Sequence, residues 1–182
     1  EADSTPNAQR SNSQLLGVAE LGIGSCTVSS LGFFDAERPL VFAHRGGCAL
    51  GPENTLAAFD LGLAAGADGL ELDVHVSSDG VAVVHHDATL DRTTSGAGPL
   101  AAHTAAELAR LDAASRFQAR GGDFPFRSQG VGVPTLAEVL GRYPGVRIII
   151  EMKVDSREMG EAVARDVRRV DAIALPVVAP PP

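Results

Sequence analysis

From residue 69 to residue 76 the chain reads Gly-Leu-Glu-Leu-Asp-Val-His-Val, in strict alternation. That period of two predicts a β-strand with Leu70, Leu72 and Val74 on a core face and Glu71, Asp73 and His75 on the other. An apolar run at 40–43, preceded by Pro39, predicts a shorter strand that opens into His44, Arg45, Gly46 and Gly47. Residues 56–65 predict a helix that Asn54 or Thr55 can cap and Gly66 ends. A short helix is expected over 104–111, an irregular excursion over 113–133, and a helix opening at Pro134 and broken by Pro144-Gly145. Val146 to Ile150 reads as a buried strand leading into Glu151-Met152-Lys153, and 157–170 as a charged surface helix.

Strand-like runs at 69–76 and 81–86 are separated only by Ser77-Ser78-Asp79-Gly80, too short for the crossover that parallel pairing needs. An antiparallel hairpin over 69–86 follows. A two-residue Asp79-Gly80 turn sets His86 opposite Asp73, and a four-residue loop sets it opposite Glu71. A three-residue bulged loop puts His85 on that face instead. The order strand, helix, strand pair, helix, strand, helix predicts an α/β fold, a partial (β/α) TIM-type barrel with about four barrel strands.

Several of these strands end in polar groups: His44 and Arg45, Glu71 and Asp73, His86 and Asp87, Glu151 and Lys153. Strand ends on one rim of a barrel share a site, so three carboxylates, two imidazoles, an arginine and a lysine would meet there. Carboxylates in that number call for a hard divalent cation, and oxygen donors suit Mg²⁺ or Ca²⁺ better than Zn²⁺. The cation, Arg45 and Lys153 would together hold an anion, most simply a phosphate. Asn54, one loop away from His44, takes a substrate-side position, and Glu53 a structural one.

Composition narrows the field. With 23 acidic and 15 basic residues among 182, the net charge of −8 argues against a nucleic-acid surface. Two cysteines, Cys26 and Cys48, are too few for a disulfide framework and favour a cytoplasmic setting. Residues 1–36 are expected to be poorly ordered. The apolar part of that segment, with four glycines and Glu20 between 15 and 34, does not make a membrane span. A lipoprotein-type signal ending at Cys26 would give a lipid-anchored or periplasmic protein, and Glu20 weakens it.

HRGG, PENTLAAF, ELDVHVSSDG, VVHHDATLDRTT, VPTLAEVL and IIIEMK follow one another over residues 39–153. This ordered set resembles the glycerophosphodiester phosphodiesterase family, within the phospholipase-C-like barrel phosphodiesterases. The resemblance implies a barrel enzyme that hydrolyses glycerophosphodiesters to glycerol 3-phosphate and an alcohol with a divalent cation. It assigns Glu71, Asp73 and Glu151 as metal ligands, His44 and His86 as general acid and base, and Arg45 and Lys153 as phosphate contacts. A related phospholipase-type enzyme or a non-catalytic barrel fragment are the competing readings.

Bland roles remain for several neighbours. His75 is expected to be exposed near the turn, His85 to face away from the acids, and Asp91-Arg92 to be a structural loop pair. A complete barrel of this type takes about 250 residues. Residues 37–175 are therefore expected to be the N-terminal half of a barrel domain, followed by a Pro-rich irregular tail at 176–182. Such a half is expected to be inactive alone, because an open half-barrel leaves an unpaired edge and an uncovered core.

Overall fold

The computed structural model describes residues 33, 34, 36–170 and 173–178. The lead-in expected over 1–36, with Cys26, lies outside the described residues except near its end. There, Phe33 is buried against the parallel ring of Phe42, with centroids 5.8 Å apart, and its carbonyl accepts a bond from Arg147 Nε.

Five strands form one sheet: β1 (Phe42–Ala43), β2 (Gly69–Val76), β3 (Ala82–Val84), β4 (Arg147–Met152) and β5 (Ile173–Val178). The order β1-β2-β4-β5 is parallel throughout, and β3 pairs antiparallel with β2. Val74 pairs with both Met152 and Val84, so β3 occupies the same edge of β2 as β1 does. Among the described residues, four α-helices with full bounds accompany them: α1 (Leu56–Ala64), α2 (Ala105–Leu108), α3 (Leu136–Arg142) and α4 (Arg157–Arg169).

The β5 strand corrects the tail expected from residue 176. Pro176 sits in the strand at the register of Ile150. None of the helices among the described residues is long and apolar enough to cross a membrane.

Alternation along the strands decides what each face of the sheet does. Leu70, Leu72 and Val74 of β2 and Ile148 and Ile150 of β4 are buried in one core with Phe59 of α1, Leu136, Val139 and Leu140 of α3, and Met159, Ala162 and Val163 of α4. Burying each large side chain of this kind contributes about 1.5–3 kcal/mol. Three helices thus cover one face, and the odd-numbered positions Glu71, Asp73 and Glu151 belong to the other.

A second core lies beneath the excursion after β3. It gathers Val83, Leu90, Leu100, Ala105, Leu108, Ala113 and Val133, so this region has apolar support of its own. Thr104 and Thr135 each form a capping box, with Glu107 and Glu138, at the starts of α2 and α3.

The loop after β1 is shaped by close packing on α1. Arg45, Gly46 and Gly47 all have positive φ, at 51°, 82° and 95°. A Cβ on Gly46 would strike the Phe59 ring, and one on Gly62 would stand 2.5 Å from the Gly46 carbonyl oxygen. At residue 46, glycine is therefore required by contact with α1 and by backbone conformation.

Candidate active site

Parallel register assembles the acidic centre. Asp73 of β2 is paired with Glu151 of β4, and Glu71 lies two residues back on the same face. Carboxylate oxygens of Glu71, Asp73 and Glu151 lie within 4.8 Å of one another. Lys153, two residues beyond Glu151, bridges Asp73 at 2.8 Å and Glu151 at 2.6 Å. Burial pulls the Lys153 ammonium down, but these two carboxylates outweigh it and hold its pKa above the ordinary lysine value.

The loop from 44 to 55 brings the remaining partners. Thr55 caps α1 by accepting from Ala58 N–H, which leaves Asn54 for the acidic centre. Asn54 Nδ2 donates to Asp73 Oδ2 at 2.8 Å, while its Oδ1 accepts from the Asp73 N–H at 3.2 Å. Asn54 is 2 % exposed, and these two bonds orient Asp73. The Arg45 N–H donates to Glu71 at 2.8 Å. Arg45 Nη1 donates to Glu53 at 2.9 Å, and its Nε lies 3.4 Å from Asp73 Oδ2, buried and without a hydrogen bond.

Three carboxylates facing one lysine and one orphaned arginine donor are short of positive charge. Burial raises the Glu71 carboxyl above its ordinary value; the Arg45 N–H opposes this, and the charges of Asp73 and Glu151 add to it. An all-oxygen donor set with this deficit fits a hard divalent cation, held by Glu71, Asp73 and Glu151.

The two expected acid/base histidines stand differently. His44 is 64 % exposed, with Nε2 4.0 Å from Glu71 and Nδ1 3.9 Å from the thiol of Cys48. His86 pairs with neither of the carboxylates that the two- and four-residue loops would set opposite it, and its Nδ1 meets Asp87 at 2.6 Å. The hairpin adopts the three-residue register, closed by Ser77 N–H to Val81 oxygen at 3.0 Å with Gly80 at φ 74°. That register brings the His85 N–H onto the Asp73 carbonyl at 2.9 Å. Regular pairing stops at Val84, so strand parity no longer aims the rings that follow.

His75 departs from expectation as well, while His85 has a packing role. His75 is buried with Nε2 3.0 Å from the His86 carbonyl oxygen, and His85 is buried with Nε2 3.1 Å from that of Thr89. Burial lowers the pKa of both rings. They support the loop that carries His86.

A charge network that sequence reasoning treated as loop structure links His86 to the acidic centre. Arg92 donates to both oxygens of Glu53, at 2.9 and 2.7 Å, and to Asp87 at 2.6 Å. Glu53 in turn holds Arg45. Thirty-nine residues separate Arg92 from Glu53, so only an arginine and an acid in successive rim loops hinted at the contact.

Burial pushes the Glu53 carboxyl up, but Arg92 and Arg45 outweigh it and hold it below the ordinary range. The hydrogen bond from Arg92 depresses Asp87 strongly. Depressed carboxyls contribute stability that is present above their unfolded pKa of about 4 and lost as pH falls through their folded values. Acid unfolding of an Arg92→Ala variant, followed by circular dichroism, should therefore show a shallower loss of stability below about pH 4 than the parent. An unchanged slope would remove the network from the stability account.

Residues 44–177 match the model of the glycerophosphoryl diester phosphodiesterase family. The chain belongs to that family. It is 41 % identical over 119 residues to a glycerophosphodiester phosphodiesterase of Caldanaerobacter subterraneus, covering 65 % of this chain and 46 % of that protein. A glycerophosphoryl diester phosphodiesterase domain from Mycobacterium tuberculosis superposes with a TM-score of 0.73 at 32 % identity, over 79 % of this chain and 54 % of that one. A phosphodiesterase of Oleispira antarctica, solved with the product sn-glycerol-3-phosphate, superposes with a TM-score of 0.65 at 34 % identity, over 77 % and 57 %. The chain spans about half the length of the curated relatives it matches.

Proposed function

We propose that the protein carrying this chain hydrolyses glycerophosphodiesters to glycerol 3-phosphate and an alcohol, and that the described strands are one part of a (β/α) barrel whose rim bears the site. The observation that carries this reading is the junction of Glu71, Asp73, Glu151, Lys153, Arg45 and His44 at the ends of β1, β2 and β4. Parallel strands place their ends on one rim, where a barrel enzyme keeps its chemistry.

Glu71, Asp73 and Glu151 would hold Mg²⁺ or Ca²⁺, which when bound neutralises charge on the phosphoryl oxygens. Arg45, with its unpaired Nε, and Lys153 supply fixed positive charge to the same oxygens. A carboxylate only accepts, so the His86 Nδ1 must carry the proton shared with Asp87, and in the neutral ring Nε2 keeps its lone pair. That nitrogen takes the proton from the attacking oxygen, either of water, which ends on the phosphorus of glycerol 3-phosphate, or of the substrate's neighbouring hydroxyl, whose cyclic phosphate product water then opens. His44, exposed beside Glu71, delivers a proton to the departing alcohol oxygen.

The reading is tested with the full-length protein and glycerophosphocholine. Choline release should require Mg²⁺ or Ca²⁺, stop on chelation and return when the ion is restored. Undiminished release in excess chelator would sink the metal-assisted mechanism, and no release with either ion would sink the activity.

A further inference from the structure

His44 stands between two environments. Its Nε2 side faces the carboxylate centre through Glu71, and its Nδ1 side faces Cys48, which lines an open cleft. The other walls are Pro52 and Glu53 from the loop after β1, and Arg92, Thr93 and Arg116 to Gln118 from the excursion. An alcohol protonated by His44 as it departs has this cleft beside it.

The charges in the cleft are unequally committed. Both Glu53 oxygens are bound by arginines, so the charge of this carboxylate is already countered before any cationic group arrives. Arg92 is likewise spent, on Glu53 and Asp87. Arg116 is exposed and makes no hydrogen bond or ion pair with any described residue, although it lies in an acidic chain. Its segment, 113–133, carries three arginines and only one acid, Asp123.

The wall bearing Arg116 is built rather than loose. Phe117 meets Phe126 edge-on with centroids 5.8 Å apart, and Gln118 Nε2 donates to the Gly122 carbonyl at 2.8 Å. Arg127 is fixed by its bond to the Ser115 carbonyl at 2.9 Å and by its stack on Phe124. A quaternary ammonium would find a single phenylalanine and no free carboxylate here, a poor cation site. An anion would find a guanidinium with its donors unspent.

We propose that this cleft receives the alcohol leaving group and that Arg116 favours alcohols bearing a further negative charge, chiefly a phosphate monoester. The assignment rests on the phosphodiesterase reading of the adjoining centre. It makes Arg116 a specificity residue for the departing half of the substrate.

Three diesters separate the charges of the alcohol: glycerophosphoinositol 4-phosphate, glycerophosphoinositol and glycerophosphocholine. With the full-length protein, kcat/KM is expected to fall in that order. Arg116→Ala should lower the value for the phosphorylated diester on the order of tenfold more than for the other two, mainly through KM, and Arg116→Lys should recover most of it. Raising salt should narrow the parent's preference. Equal effects of Arg116→Ala on all three diesters, or a parent that prefers the choline diester, would overturn the proposal.

Calorimetric titration with inositol 4-phosphate itself provides a readout that needs no turnover. Binding weakened about tenfold in Arg116→Ala supports the subsite, and binding that is absent in the parent or equal in both overturns it. Should none of the diesters be hydrolysed, the activity reading fails while this titration still decides the cleft.

Discussion

Replacing Asp73 with alanine should cost about 3–5 kcal/mol of folding stability and abolish specific binding of Mg²⁺ or Ca²⁺. Asp73 is 1 % exposed and is the shared partner of Lys153, Asn54 and Arg45. Its removal leaves a lysine and an arginine facing each other in a partly buried site without their common counter-charge. Urea unfolding measures the first effect and calorimetric titration with each ion the second. Glu151→Gln separates the two: Glu151 is 31 % exposed, so ion affinity should fall with a much smaller loss of stability. If both variants bind the ion as the parent does, the carboxylate cluster is not the metal centre.

The second large effect concerns the histidines. In the full-length protein, His44→Ala and His86→Ala should each lower kcat about 10²- to 10⁴-fold, the range of a lost acid or base, with ion binding and the unfolding midpoint retained. Asp87→Asn should fall between those variants and the parent. It keeps a side chain beside Nδ1 but no longer enforces the tautomer that leaves Nε2 bare. Full turnover in His86→Ala would leave His44 as the sole titrating partner and return His86 to a structural role.

The strand from 69 to 76 was legible to the residue, because strict alternation of apolar and acidic positions has no helical interpretation. The same alternation showed that Glu71 and Asp73 share a face, and the chain order of the motifs showed which acids belong together. Other features lay beyond a local reading. The pairing of Asp73 with Glu151 depends on how α3 and α4 pack the far side of β2 and β4, a long-range matter.

The hairpin had three admissible registers, and the side-chain bonds of Ser77 to Asp79 and Val81 select the one with a three-residue loop. His75 looked exposed because it lies near a turn, yet the backbone of His86 covers it. Glu53 and Arg92 each looked like loop furniture, since neither residue's neighbours reveal a partner so distant in the chain. The strand through Pro176 was hidden by composition, as proline counts against a strand.

The second core under the excursion has an evolutionary corollary. Leu90, Leu100, Leu108 and Val133 support that region largely on their own, touching the sheet through Val83, whereas the clustered acids Glu71, Asp73 and Glu151 stand on strands packed by other helices. Sequence drift in the cleft wall can therefore proceed without loosening the strands that carry the acids. Such a division would let one hydrolytic centre be refitted to new alcohols by replacing its hood, with the reaction itself inherited intact.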